Sequence, residues 1–151
     1  MIKKYIAKCF YLVIFVCIVV SCSNNNNLKN NPDKEITIKM VTHGQATDPF
    51  WSVVSNGAKD AARELGITLH YQSPQNFDMI TMSQMIDAVI ATKPDGLILS
   101  VPDIPALRKS IVSASKKNIP IIVINAGSEI MEEVDILTYV GQSEYEAGLK
   151  A

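Results

Sequence analysis

Beyond residue 22 the chain contains no cysteine, and Cys9 and Cys17 both fall within the first 21 residues. Everything downstream is therefore without disulfides or thiol chemistry. Histidine is nearly as scarce. Only His43 and His70 occur, with no cysteine or carboxylate cluster beside them, so the sequence offers no metal-ligand set and no cofactor is expected. Basic charge is short as well. From residue 22 onward eleven Lys and Arg face fifteen Asp and Glu, a net charge of −4. Such a chain has no basic patch to neutralise phosphates, which argues against nucleic acid as a partner. No G-x-G-x-x-G run opens a helix, and no Ser or Cys nucleophile stands beside a base. Neither a dinucleotide-dependent enzyme nor a covalent catalyst is expected.

Long apolar runs are missing too, apart from residues 9–20. Lys3, Lys4 and Lys8 lead into that run and no acidic residue interrupts it, which is the order of an export signal. It is short of the roughly 20 apolar residues that span a bilayer. The run ends in Val19, Val20, Ser21 and Cys22, which resemble a bacterial lipobox. That resemblance implies that residues 1–21 are a lipoprotein signal peptide and that Cys22 carries lipid. Two acyl chains on one cysteine supply an anchoring that one chain cannot. Residues 22–34 are then a flexible tether, because a stretch made almost entirely of Asn, Ser, Lys, Asp and Pro cannot bury enough apolar surface to order itself.

After the tether, two hydrophobic periods alternate. Short β-type runs are predicted at 36–41, 67–72, 97–101, 121–124 and 136–140. Between them helices are predicted at 52–65, closed by Gly66, at 78–92, and at 104–117, with another beginning at 144. The first helix should bury Val53, Val54, Gly57, Ala58, Ala61, Ala62 and Leu65. The second should bury Met82, Met85, Ile86, Val89 and Ile90, and the third Ile104, Leu107, Ile111 and Ala114. Strand and helix in alternation at about thirty residues per unit signal βαβ crossovers. The predicted fold is α/β, a doubly wound parallel sheet in a three-layer αβα arrangement.

Ligands of open parallel sheets bind at the carboxyl ends of the strands, so the loops after strands one, three, four and five carry the candidates. Asp48 can cap the first helix and Pro49 suits its first turn. A carboxylate there can also take ligand hydroxyls. Phe50 and Trp51 are adjacent at a helix start, about 100° apart, so they cannot both point into the core. Their flat faces suit the C–H faces of a sugar ring. Asn125 follows strand four, where its amide can meet a ligand or make a local turn bond. Asp103 reads as a cap. His43, at the mouth of strand one, is a further candidate for ligand contact.

Thr47 to Trp51 leading to Asn56, Gly57 and Ala58, then Lys93 to Leu97, Asn118 to Ile122, Asn125 to Gly127, and Val140 to Gly148 together resemble the sugar-binding branch of the type I periplasmic binding proteins. The resemblance covers essentially everything after the tether. It implies the first lobe of a two-lobe fold at 35–142, with 143–151 beginning the helix that crosses into a second lobe. It also implies an exported, envelope-anchored protein that captures a sugar or polyol and delivers it to the membrane subunits of an ABC permease. The family positions that line the sugar cleft fall on Asp48, Phe50, Trp51 and Asn125. Ribose-binding members have Asn at the place of Asp48, and Asp then Arg at the places of Asn125 and Ala126. Losing the arginine removes a five-donor fork. That leaves a polyol, a modified sugar or a furanose signal molecule open. A receptor feeding chemotaxis or a sensor kinase, or a nonfunctional truncated fragment, also fits the sequence. A sugar-responsive transcription regulator does not, because an export leader stands where its DNA-binding front would be.

Overall fold

A computed structural model describes residues 34–45 and 48–150. The leader, Cys22 and nearly all of the tether lie outside the described residues. Five strands, β1 (Thr37–Val41), β2 (Thr68–Gln72), β3 (Gly96–Leu99), β4 (Ile121–Ile124) and β5 (Thr138–Val140), form one sheet in the order β2-β1-β3-β4-β5. Every neighbouring pair is parallel, with Ile38 beside Leu69 and Gly96, and Ile98 beside Ile122. Helices α1 (Pro49–Leu65), α2 (Met79–Ala91) and α3 (Ile104–Lys116) make the crossovers, and α4 (Glu144–Leu149) follows β5. This is the doubly wound α/β architecture that the alternation predicts.

Each long helix begins on an aspartate. Asp48 accepts from the N–H groups of Phe50 and Trp51, Asp78 from Ile80 and Thr81, and Asp103 from Ala106. Such caps satisfy donors that the first turn leaves unpaired. The hydroxyl of Thr81 also donates to Asp78 at 2.6 Å and, with backbone bonds, holds that carboxyl below its usual range. Gly66 ends α1 in the left-handed region at φ 65°, so Ile67 N–H can reach back to Ala62 O at 3.0 Å.

The two faces of the sheet differ. On one, Val41, Leu97, Leu99, Ile121 and Val123 are buried against Met82, Ile86, Ile90, Leu107 and Ile111 of α2 and α3. These helical positions are the ones their periodicity picks out. On the other face α1 packs against β2, and Ile98, Ile122 and Ile124 are only half-buried. A groove of about 290 Å³ runs there between Ala58, Ala61 and Leu65 of α1 and Ile98, Ile122 and Leu137.

Two expectations are corrected, and one segment without a predicted element is filled in. In α1 the buried positions are Trp51, Ser55 and Ala62, whereas Val53 is 72% exposed and Leu65 is also open. Its apolar stripe is wider than its contact, because α1 leans toward β2 and turns Val54, Ala58, Ala61 and Leu65 toward sheet that no described element covers. Strand β3 ends at Leu99, since Val101 leaves the ladder to bond Ala126 O at 2.9 Å. The acidic segment after β4 holds a 3-10 helix, Ser128–Glu132, that buries Ile130.

Candidate functional site

The strand order reverses at β1 and β3, with β2 on one side and β4 and β5 on the other. The crevice outside the carboxyl ends at such a switch point is where open α/β sheets take ligands. His43 stands just past β1 and Ser100 just past β3. The backbone N–H of His43 donates to Ser100 Oγ at 2.9 Å, and His43 Nδ1 lies 2.8 Å from the same oxygen. These contacts tie the loop after β1 to the loop after β3. Alongside, Thr42 Oγ1 and Tyr71 OH share a hydrogen bond of 2.7 Å that ties the end of β1 to β2.

Aromatic rings gather on His43. Trp51 meets it edge-on with centroids 5.0 Å apart, Phe77 does so at 5.9 Å, and Phe50 stands perpendicular to Trp51 at 5.1 Å. These edge-to-face contacts are favoured by the ring quadrupoles. The two adjacent aromatics divide as one helical step requires. Trp51 is 6% exposed, and Phe50 is 53% exposed. Trp51 thus supplies a buried support, and Phe50 supplies the open face.

A hollow of about 430 Å³ is lined by Phe50, Trp51, Val54, Ile124, Asn125, Val140, Gly141 and Gln142. It is mainly apolar, carries two side-chain amides and contains no charged group. Such a lining matches a neutral ligand with apolar faces and hydroxyl edges. Asn125 sits in the left-handed region at φ 64°. Its N–H donates to Val140 O at 3.0 Å and its carbonyl accepts from Tyr139 OH at 2.6 Å. The backbone of Asn125 is thereby fixed, while its side-chain amide makes no hydrogen bond within the described residues. A second hollow of about 460 Å³, with Asp103, Glu129 and Tyr145 in its wall, shares Gln142 with the first.

Of the candidates read from the sequence, Phe50, Trp51 and Asn125 meet around one hollow. His43 joins them through Trp51. Asp48 is outside that lining, and its Oδ1 accepts from Phe50 N–H at 2.9 Å and Trp51 N–H at 3.4 Å, so the capping role is occupied. Burial of His43 pushes its pKa below the usual imidazole value. No cluster of metal-binding side chains exists among the described residues. Phe77, Ser100, Tyr139 and Gln142 were not among the sequence candidates. Phe77 follows β2, whose loop strand order alone brings to the switch point, and its one signal is an aromatic in the otherwise polar stretch 72–78.

The fold has close solved counterparts. A carbohydrate transporter from Acidothermus cellulolyticus 11B, in complex with myo-inositol, is 36% identical with a TM-score of 0.72 over 78% of this chain and 40% of its own. An ABC sugar transporter, a periplasmic sugar binding protein from Legionella pneumophila, is 32% identical with a TM-score of 0.72 over 77% of this chain and 42% of its own. GanP, a glucose-galactose binding protein from Geobacillus stearothermophilus, is 26% identical with a TM-score of 0.71 over 78% and 40%. The chain thus spans about two fifths of the length of these structures. No curated protein matches it significantly. The family described as periplasmic binding protein domain matches residues 38–151. Parallel sheet, switch-point aromatics and this match agree, and the chain belongs to the family described as periplasmic binding protein domain.

Proposed function

We propose that the chain forms the first lobe of a substrate-binding protein that captures a sugar or a sugar-like polyol and passes it to an ABC permease, binding without catalysis. Asp48, Phe50, Trp51, Asn125 and His43 provide this lobe's part of the ligand contacts. The observation that carries the reading is the uncharged hollow between Phe50, Trp51 and Asn125 beside the switch point. Its apolar wall suits ring C–H groups, and the unengaged amide of Asn125 suits a hydroxyl pair. Residues 35–142 make up the lobe, and 143–151 begin the crossing helix.

Export and anchoring complete the proposal. Residues 1–21 direct export, Cys22 takes the lipid, and 22–34 let the lobe stand off the envelope. Labelling with a palmitate analogue should mark the wild type and not Cys22→Ser, and equal labelling of the two would remove the anchor from this account.

Ligand capture is tested by calorimetry and by Trp51 fluorescence, with myo-inositol, glucose and galactose as probes. One lobe buries only part of a cleft ligand, so weak, saturable binding is expected. Phe50→Ala and Asn125→Ala should each reduce it. If neither variant alters a measurable affinity, the site lies elsewhere, and a response to none of the probes would count against a sugar ligand.

A further inference from the structure

We infer that Ser100 fixes His43 as its Nε2–H tautomer and so makes His43 a hydrogen-bond donor, and not an acceptor, to the ligand at the switch point. The ligand part of this inference rests on the sugar-binding reading above; the tautomer part does not.

Ser100 is fully buried, and its own N–H donates to Val41 O at 3.2 Å. Its hydroxyl oxygen meets two groups of one residue, the backbone N–H of His43 and the ring Nδ1. A backbone N–H can only donate, so Oγ accepts there. The hydroxyl has one proton to place. If Nδ1 also donated, Oγ would accept twice and its own proton would be buried with no partner, because no other hydrogen bond of that hydroxyl exists among the described residues. Buried donors are rarely left so. If instead Oγ donates to Nδ1, every polar atom of the contact is satisfied. Nδ1 is then an acceptor, and the neutral ring carries its proton on Nε2.

The ring edge that carries Nδ1 is held by Ser100, and a flip that exchanged the edges would lose that bond. Trp51 meets it at 79° and Phe77 at 84°, two edge contacts that fix its plane. Nε2 is the ring nitrogen with no hydrogen-bond partner among the described residues. An N–H held in place at a sheet's ligand crevice selects for an oxygen acceptor, such as a hydroxyl or ring oxygen of a polyol or sugar. It selects against a ligand that brings an ammonium or amide N–H to the same place. Ser100 is in this sense a positioning residue, acting through His43.

Long-range ¹H–¹⁵N correlation spectra of the labelled chain at neutral pH read the tautomer directly, with His70→Gln assigning the two histidines. The expected wild-type pattern is a bare Nδ1 and a protonated Nε2 for His43, and Ser100→Ala should turn it into a mixture. A protonated Nδ1 in the wild type overturns the inference, and so does an unchanged tautomer in Ser100→Ala. If that variant fails to fold, the wild-type spectrum still decides. Titration with myo-inositol, glucose and galactose supplies the second readout. His43 Nε2–H should shift together with the Trp51 indole, and Ser100→Ala should weaken binding by roughly threefold to tenfold, the scale of one neutral hydrogen bond. His43→Gln, which keeps an N–H near the place of Nε2, should bind better than His43→Ala. A response at Trp51 without one at His43 overturns the donor role and leaves the sugar reading standing. A response at neither overturns the sugar reading and the donor role together.

Discussion

Gly44 packs so closely on the indole of Trp51 that a Cβ built at Gly44 would fall within the ring, against Nε1 and Cδ1. The loop after β1 can reach α1 here only because residue 44 has no side chain. Gly44→Ala must therefore push the indole out of its place. Overpacking of this kind costs about 1–3 kcal/mol. Urea unfolding should show that loss, and because Trp51 is the single tryptophan, its emission should move to longer wavelength as the ring meets water. Unchanged emission and stability would mean that the loop adjusts and that Trp51 is not held by this contact.

Asp48 can be tested as a cap and as a ligand group separately. Asp48→Ala removes the acceptor for the first turn of α1 and should cost about 1 kcal/mol, whereas Asp48→Asn caps comparably and should melt near the wild type. Weaker sugar binding by the Asn variant at an unchanged melting temperature would assign the carboxylate to the ligand. Normal binding by it would leave Asp48 with the helix alone.

Ser55 carries a buried hydroxyl with no hydrogen-bond partner among the described residues, on the face of α1 that packs inward. Leaving such a group unsatisfied costs about 1–3 kcal/mol, and alanine is also the better helix former. Ser55→Ala should raise the melting temperature. A lower one would show that the hydroxyl has a partner in solution.

His43 gives stability a pH dependence. Burial holds its folded pKa below the usual value of about 6.5, so the unfolded chain takes up the proton more readily. The contribution is complete above about 6.5 and is lost as pH falls from there toward the lowered folded value. Trp51, Phe77 and Ser100, the groups in contact with the ring, bring no charge to oppose this. In urea titrations below about pH 6.5 the slope of stability against pH should be shallower for His43→Gln than for the wild type. Equal slopes would show that the imidazole titrates as it does in water.

Sequence patterns made some of this legible and left other parts hidden, for physical reasons. Met82, Ile86 and Ile90, like Leu107, Ile111 and Ala114, face a core that surrounds their helices on one side, so periodicity alone locates them. The three aspartate caps are local chemistry and can be read one helix at a time. The face of α1 is different, because its apolar positions outnumber its contacts and only the tilt toward β2 decides between them. The choice between Phe50 and Trp51 likewise depends on Gly44, a residue of another element. The pairing of His43 with Ser100 spans 57 residues and exists only because β3 lies beside β1. No spacing rule within either loop announces it.

The strand order has a kinetic consequence. After β2 has joined one edge of β1, the next strand made, β3, takes the other edge, and β4 and β5 each add outward by one place. Of the paired strands, β1 and β3 are separated by the longest stretch of chain, residues 42–95, which β2 shortens once it has paired with β1, and closure entropy rises only with the logarithm of the length left to close. Once Leu99 has paired with Val41, both walls of the switch-point crevice exist, and His43 can find Ser100. We predict that the pairing of β3 with β1 forms in the folding nucleus: Leu99→Ala should slow folding more than an equally destabilising substitution in β5, which should chiefly speed unfolding, and equal effects of the two on the folding rate would refute this.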